Sequence, residues 1–140
     1  MANQTDVMVL EDGPRNLKVR VTGMLDGVTG NISLIPAVTL ASSNNNDPLS
    51  GKMVGYRVDH LQYAVGATLS VVIAWQSTNP QLIGVVADSN DQTYRESGGL
   101  QPNQGLPGYT GGINVSTQGY APGVVSGFTL MMDLVKLYKF

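Results

Sequence analysis

Cysteine is absent from this chain and charge is scarce. Without cysteine there can be no disulfide, no thiolate nucleophile and no Cys-based metal site. Stability therefore does not depend on oxidation, which suits a cytosolic protein or a virion component assembled in a reducing cytosol. Charged residues make up 13% of the 140 residues, about half the usual share. A free monomer ordinarily clothes itself in Lys, Glu, Arg and Asp. Here the surface must be Ser, Thr, Asn, Gln and Gly, or be covered by another chain, and the shortage favours assembly. The eight Lys and Arg residues are scattered singly at a net charge of −2. No basic stripe is left for phosphates, so direct nucleic-acid binding is not expected. The apolar runs are too short to cross a bilayer. MANQTDVMVLEDG lacks the basic start and long apolar stretch of a signal peptide. The chain is expected to be soluble, to make no membrane contact, and to stay in the compartment where it is made.

Reactive constellations are missing as well. His60 is the only histidine; in GYRVDHLQY it lies on an alternating strand, with Asp59 expected on the opposite face. Surface or packing duty is the expectation for it, not catalysis. No serine stands in G-x-S-x-G. Asp88, Asn90, Asp91 and Glu96 gather oxygen ligands, as do Asn44, Asn45, Asn46 and Asp47, yet neither run follows the EF-hand order. Asp88, Asp91 and Glu96 are also too close together on one polar loop to flank a glycosidic bond. GLQPNQGLPGYTGG has glycines but no following Lys or helix to hold a phosphate. We expect no catalytic residues, no metal, no cofactor, no small-molecule substrate and no enzymatic activity.

What the chain does have is dense punctuation. Seventeen glycines and seven prolines cut it into short runs, the pattern of all-β sandwiches and barrels. Asp6 to Glu11 reads as a strand, followed by the turn Asp12-Gly13-Pro14-Arg15. Leu17 to Leu25 then alternates Leu17, Val19 and Val21 with Lys18, Arg20 and Thr22, giving one face to a core and one to water. Asn31 to Leu40 is a strand that Pro36 places at an edge or a bulge. Met53 to Val65 is long and extended. TLSVVIAWQ, Thr68 to Gln76, is apolar at nearly every position and reads as a central strand covered on both faces. Trp75, in phase with Leu69, Val71 and Ile73, reads as a core anchor. Gln81 to Ala87, Ile113 to Gln118 and Ser126 to Phe140 complete the set. MMDLVKLYK could fit a helix, but it continues FTL without a cap and lacks Glu and Ala, so strand is preferred. The expectation is a single all-β domain over residues 1–140. It is an antiparallel two-sheet sandwich of about eight strands, with a jelly roll the natural topology.

Residues 88–112 read as a long loop without structure, more than folding requires. Tyr94, Arg95, Leu100, Leu106 and Tyr109 stand in it among Gly, Pro, Gln and Asn. Tyr and Arg with little charge around them are what protein-binding loops contain. Those five and Phe140 are the candidate partner-binding residues. Met1 to Asp6 and Tyr138 to Phe140 are candidate arms.

EDGPRNLKVRVTGMLDG, Trp75 closing a central strand, and GGL…PGYTGGINVSTQGYAPG before a strand ending in Lys-Leu-Tyr-Lys resemble small cement, or decoration, proteins of tailed-bacteriophage capsids. The likeness runs from about Val7 to Lys139 and consists of turns and strands, with no site motif. It implies a jelly-roll homodimer on the outer surface of the phage head, assembled in the host cytoplasm and clamping neighbouring major capsid subunits. Strand edges and ends could extend a partner's sheet. A tail or baseplate component, which would share the composition, the lack of chemistry and the phage setting, is one alternative. A carbohydrate-binding sandwich module, with Trp75 and the tyrosines as stacking residues, is the alternative of a different class.

Overall fold

The computed structural model describes residues 3–13, 15–38, 46–47 and 51–139. It is all-β, with two antiparallel sheets packed face to face. The larger sheet holds β1 (Gln4–Asp12), β2 (Asn16–Leu25), β10 (Ser126–Lys139), β5 (Gly51–Val65) and β4 (Asn46–Asp47), in that order. In addition, β8 (Ser89–Thr93) pairs with the upper half of β5. The smaller sheet has the order β3 (Ile35–Val38), β9 (Ile113–Gln118), β6 (Ser70–Trp75), β7 (Gln81–Val86).

Alternation decides which side of each ribbon is buried. Leu17, Val19, Val21 and Leu25 of β2 face Phe128, Leu130, Met132 and Leu134 of β10 on one side of the core. Val71, Ile73 and Trp75 of β6 with Ile113 and Val115 of β9 form the other side. The segment over Met131 to Lys139 is strand, as its lack of a cap suggested. Trp75 is 4% exposed and donates from Nε1 to Tyr56 O at 3.1 Å, tying the small sheet to the large one.

The strand pairing has a simple order. Leaving aside β1 and β4, the first of the remaining eight strands pairs with the last, β2 with β10. The second then pairs with the seventh (β3 with β9), the third with the sixth (β5 with β8) and the fourth with the fifth (β6 with β7). All four pairs are antiparallel, so the chain is one long ribbon rolled over on itself.

Four expectations change. β8 occupies the start of the segment read as structureless, and the run continues through a short 3-10 turn (Arg95–Ser97) into a bridge between Leu100 and Val58. β4, two residues long, was not foreseen. The strand expected from Asn31 begins only at Ile35. It is both an edge strand and shifted in register between Pro36 and Val38, because proline cannot donate to the ladder. Finally, β6 is buried on its core face but only half-covered on the other, where Ser70 and Val72 remain partly exposed.

The turn after β2 shows how short polar side chains fix the backbone. The Asp26 carboxylate accepts from Thr29 Oγ1 at 2.6 Å, Thr29 N at 2.7 Å and Val28 N at 2.8 Å. These bonds, the Thr29 hydroxyl foremost, lower the Asp26 pKa from 3.8 to about 2. A depressed carboxylate stabilises the fold fully above its unfolded value and loses that contribution as pH falls through its folded one. An NMR titration should therefore place the Asp26 midpoint near 2, and the Thr29→Val variant should move it back toward 3.8. A wild-type midpoint near 3.8 would contradict this account of the turn.

Candidate interaction surface

The two outer faces of the sandwich differ in charge. On the large sheet, the registers place Glu11, Lys18, Asp133, His60 and Thr93 in one row across five strands. Opposite charges on neighbouring strands stabilise such a row. At its centre, Asp133 lies 3.7 Å from Lys18 Nζ, 3.2 Å from His60 Nδ1 and 3.2 Å from Arg95 Nη2. His60 Nε2 meets Asp91 of β8.

A β-bulge explains why so much charge collects there. His60 pairs with Asp133 and Val58 with Leu134, so Asp59 is an extra residue. Val58 and Leu61 are both fully buried in the core, which turns Asp59 and His60 to the same outer face, contrary to simple alternation. Asp59, 6% exposed, accepts from Arg57 Nε at 2.7 Å and Nη2 at 3.1 Å, with Arg95 Nε 3.9 Å away. The hydrogen bond from Arg57 to the Asp59 carboxylate raises the Arg57 pKa above its ordinary value. These groups are spent on one another and hold β5, β8 and β10 together. Among the described residues no group of three or more His, Cys, Asp or Glu side chains could hold a metal ion.

The tyrosines and leucines of residues 88–112 are mostly turned inward. Tyr94 packs on the core, its N–H donates to Asp59 O at 2.7 Å, and its hydroxyl donates to Gln92 Oε1 at 2.7 Å. Leu100 exchanges backbone bonds with Val58 at 2.8 and 2.9 Å. Tyr109 donates to Val54 O at 2.9 Å, and its hydroxyl occupies the space that a side chain at Gly55 would need. Burial raises the pKa of both tyrosines. Arg95 is exposed but paired, and Leu106 is partly exposed at the tip. The segment is thus sewn to the core by the residues expected to bind a partner. Phe140, like Met1 and Ala2, lies outside the described residues.

The outer face of the small sheet is the opposite case. β3, β6, β7 and β9 contain no charged residue. The registers set Pro36, Asn114, Ala74 and Leu82 in one row and Ser116, Val72 and Val85 in the next. Leu82 is 63% exposed and Val85 56%. Ala74 is buried and Val72 half-buried, so the open part of the face lies at Leu82 and Val85. An uncharged sheet face with exposed aliphatic residues at its edge is the composition of a protein contact. The signal was present in TLSVVIAWQ and QLIGVV, which are apolar on both faces although the described residues leave Leu82 and Val85 open.

A third feature is a groove of about 780 Å³ where β1, β2, β10 and β5 run side by side, lined among others by Gln4, Asp6, Thr22, Met24 and Thr129. Its one aromatic, Phe128, is 4% exposed, so no ring is presented for stacking.

No family model, curated protein or solved structure matches this chain. Its interpretation rests on its own geometry.

Proposed function

We propose that this chain is a structural virion protein. It is a capsid cement, or decoration, protein of a tailed bacteriophage that acts as a homodimer, without catalysis or cofactor, on the outer surface of the head. There it binds and stabilises neighbouring major capsid subunits. The observation that carries the reading is the uncharged, partly apolar outer face of the small sheet, set against a large sheet whose central charges pair with one another. Many copies of such a face, each engaging the shell weakly, sum to tight attachment. The low overall charge and the resemblance of the turns to phage cement proteins favour the same role. The rolled-ribbon strand order supports the jelly-roll topology that such proteins adopt.

The test is to mix purified protein with phage heads that lack it and to measure what sediments with them. The reading expects a fixed number of copies per head and immunogold label over the whole shell. Label confined to one vertex would point to a tail or baseplate component, and no binding would remove the capsid role. Because the proposed contact is uncharged, raising salt from 0.1 to 1 M, which shortens the Debye length from ~10 Å to ~3 Å, should release little protein. Release at moderate salt would instead implicate the charged sheet. A carbohydrate-binding module is disfavoured because Trp75 is buried; glycans should leave its emission unchanged.

A further inference from the structure

His60, the only histidine of the chain, stands between two carboxylates on different strands. Its Nδ1 lies 3.2 Å from Asp133 Oδ2 of β10, and its Nε2 meets Asp91 Oδ1 of β8. A carboxylate only accepts hydrogen bonds, and a neutral imidazole carries a single N–H. A neutral His60 would therefore turn the lone pair of one ring nitrogen toward a carboxylate oxygen. Only the imidazolium donates to both carboxylates at once.

The two carboxylates do not depend on the ring equally. Asp133 sits on the central strand of the large sheet with its side chain 21% exposed. Lys18 Nζ of β2 lies 3.7 Å from it, and Arg95 Nη2 of the 3-10 turn lies 3.2 Å from it. Asp59, the acid next to the ring on β5, is held by Arg57 and approached by Arg95. Asp91 is different: it is 60% exposed on an edge strand, and among the described residues its ion pair is with His60 alone. A ring that has lost its proton can keep only one of its two partners. Asp133 is fixed by its strand and its two cations, whereas Asp91 can turn out into water, so the contact given up is the one to β8. That strand has little else to hold it. Ser89, Asn90, Asp91 and Thr93 are all exposed, and beyond the ladder to β5 Thr93 adds only a 3.5 Å bond from Oγ1 to Asp59 O.

We propose that His60 is a proton-operated latch: its charged ring ties β8 to β10 across β5, and its neutral ring lets Asp91 go and loosens β8. Histidine is the side chain whose charge ordinarily changes between pH 5 and 8. The latch is thus closed on the acid side of neutrality and open on the alkaline side. It belongs to the fold and stands whether or not the chain decorates a phage head.

The experiment is amide hydrogen exchange by NMR at about pH 5.5 and about pH 8, on either side of the histidine range. Rates are expressed as protection factors, which remove the intrinsic acceleration of exchange with pH. Protection over Asn90 to Tyr94 should fall about two- to fivefold at the higher pH, the scale of one partly exposed ion pair. Ile113 to Gln118 of β9 should keep theirs. His60→Gln, which does not titrate, should show the lower β8 protection at both values. Asp91→Asn, at an exposed position, should keep the wild-type circular dichroism and lose the step, because a neutral amide pairs with either form of the ring. This variant decides the matter by itself where His60→Gln fails to fold. Equal β8 protection at the two pH values in the wild type would overturn the latch, as would a step that survives in His60→Gln. A step of the same size in β9 would overturn it too, since the whole fold would then be responding. A step that survives Asp91→Asn would overturn the part given to Asp91.

Discussion

Replacing Trp75 by alanine is expected to lower the stability of the fold by about 4 kcal/mol, the range for deleting a buried aromatic side chain. The indole closes the end of β6 against the large sheet, and its removal opens a cavity and deletes the hydrogen bond that joins the two sheets there. Small domains are stable by about 5–15 kcal/mol in total, so this single change should bring unfolding close to ambient conditions. Trp75→Phe retains most of the apolar volume and gives up the hydrogen bond, so a smaller loss of about 1 to 2 kcal/mol is expected. Urea unfolding followed by circular dichroism measures both. A Trp75→Ala loss under 1 kcal/mol would show that the side chain is not the anchor between the sheets.

The second large effect is expected at Asp59. Asp59→Ala leaves Arg57 and Arg95 facing each other beside a site that lacks its carboxylate. Breaking a buried ion pair costs about 3–5 kcal/mol, and the 30% exposure of the Arg57 side chain reduces the expectation to about 2 kcal/mol. The loss should be local as well as global. Gly99, at φ +80°, passes so close to this pair that a Cβ there would lie 2.6 Å from Asp59 Oδ1. Amides from Tyr94 to Leu100 should therefore exchange faster in Asp59→Ala while those of β6 and β9 keep their relative protection. Uniform acceleration across the chain would mean that Asp59 serves only general stability.

Both effects bear on what could be read before the fold was known. Trp75 was legible because its neighbours repeat every two residues and one face of β6 is buried. The partnership of Asp59 and His60 was not, since a single inserted residue reverses the alternation on which such a reading depends. β8 escaped for another reason: SNDQT is polar on both sides, being an edge strand held by its backbone ladder and by the contact of Asp91 with His60. A strand that buries almost nothing leaves no periodic trace. In the loop, Tyr94, Leu100 and Tyr109 stood out correctly as unusual. In the structure they pack inward, because a polar segment without strand periodicity needs just such residues to fasten it to a core. The uncharged sheet face was visible in composition but could not be located until the registers placed Val72, Leu82 and Val85 side by side.

The rolled-ribbon order also sets a timetable for the molecule's birth. The β6–β7 hairpin closes over a few residues and can form as soon as it leaves the ribosome. β2 has to wait for β10, whose first residue, Ser126, pairs with Leu25 across roughly a hundred residues of intervening chain, and contacts so distant in sequence make for slow folding, on the order of milliseconds to seconds. Until then the apolar side of β2 has no partner sheet, and the nascent protein carries a sticky ribbon through most of its own synthesis. Such a chain is most vulnerable before it is complete, and its yield should respond to chaperones that shield such a half-made sheet.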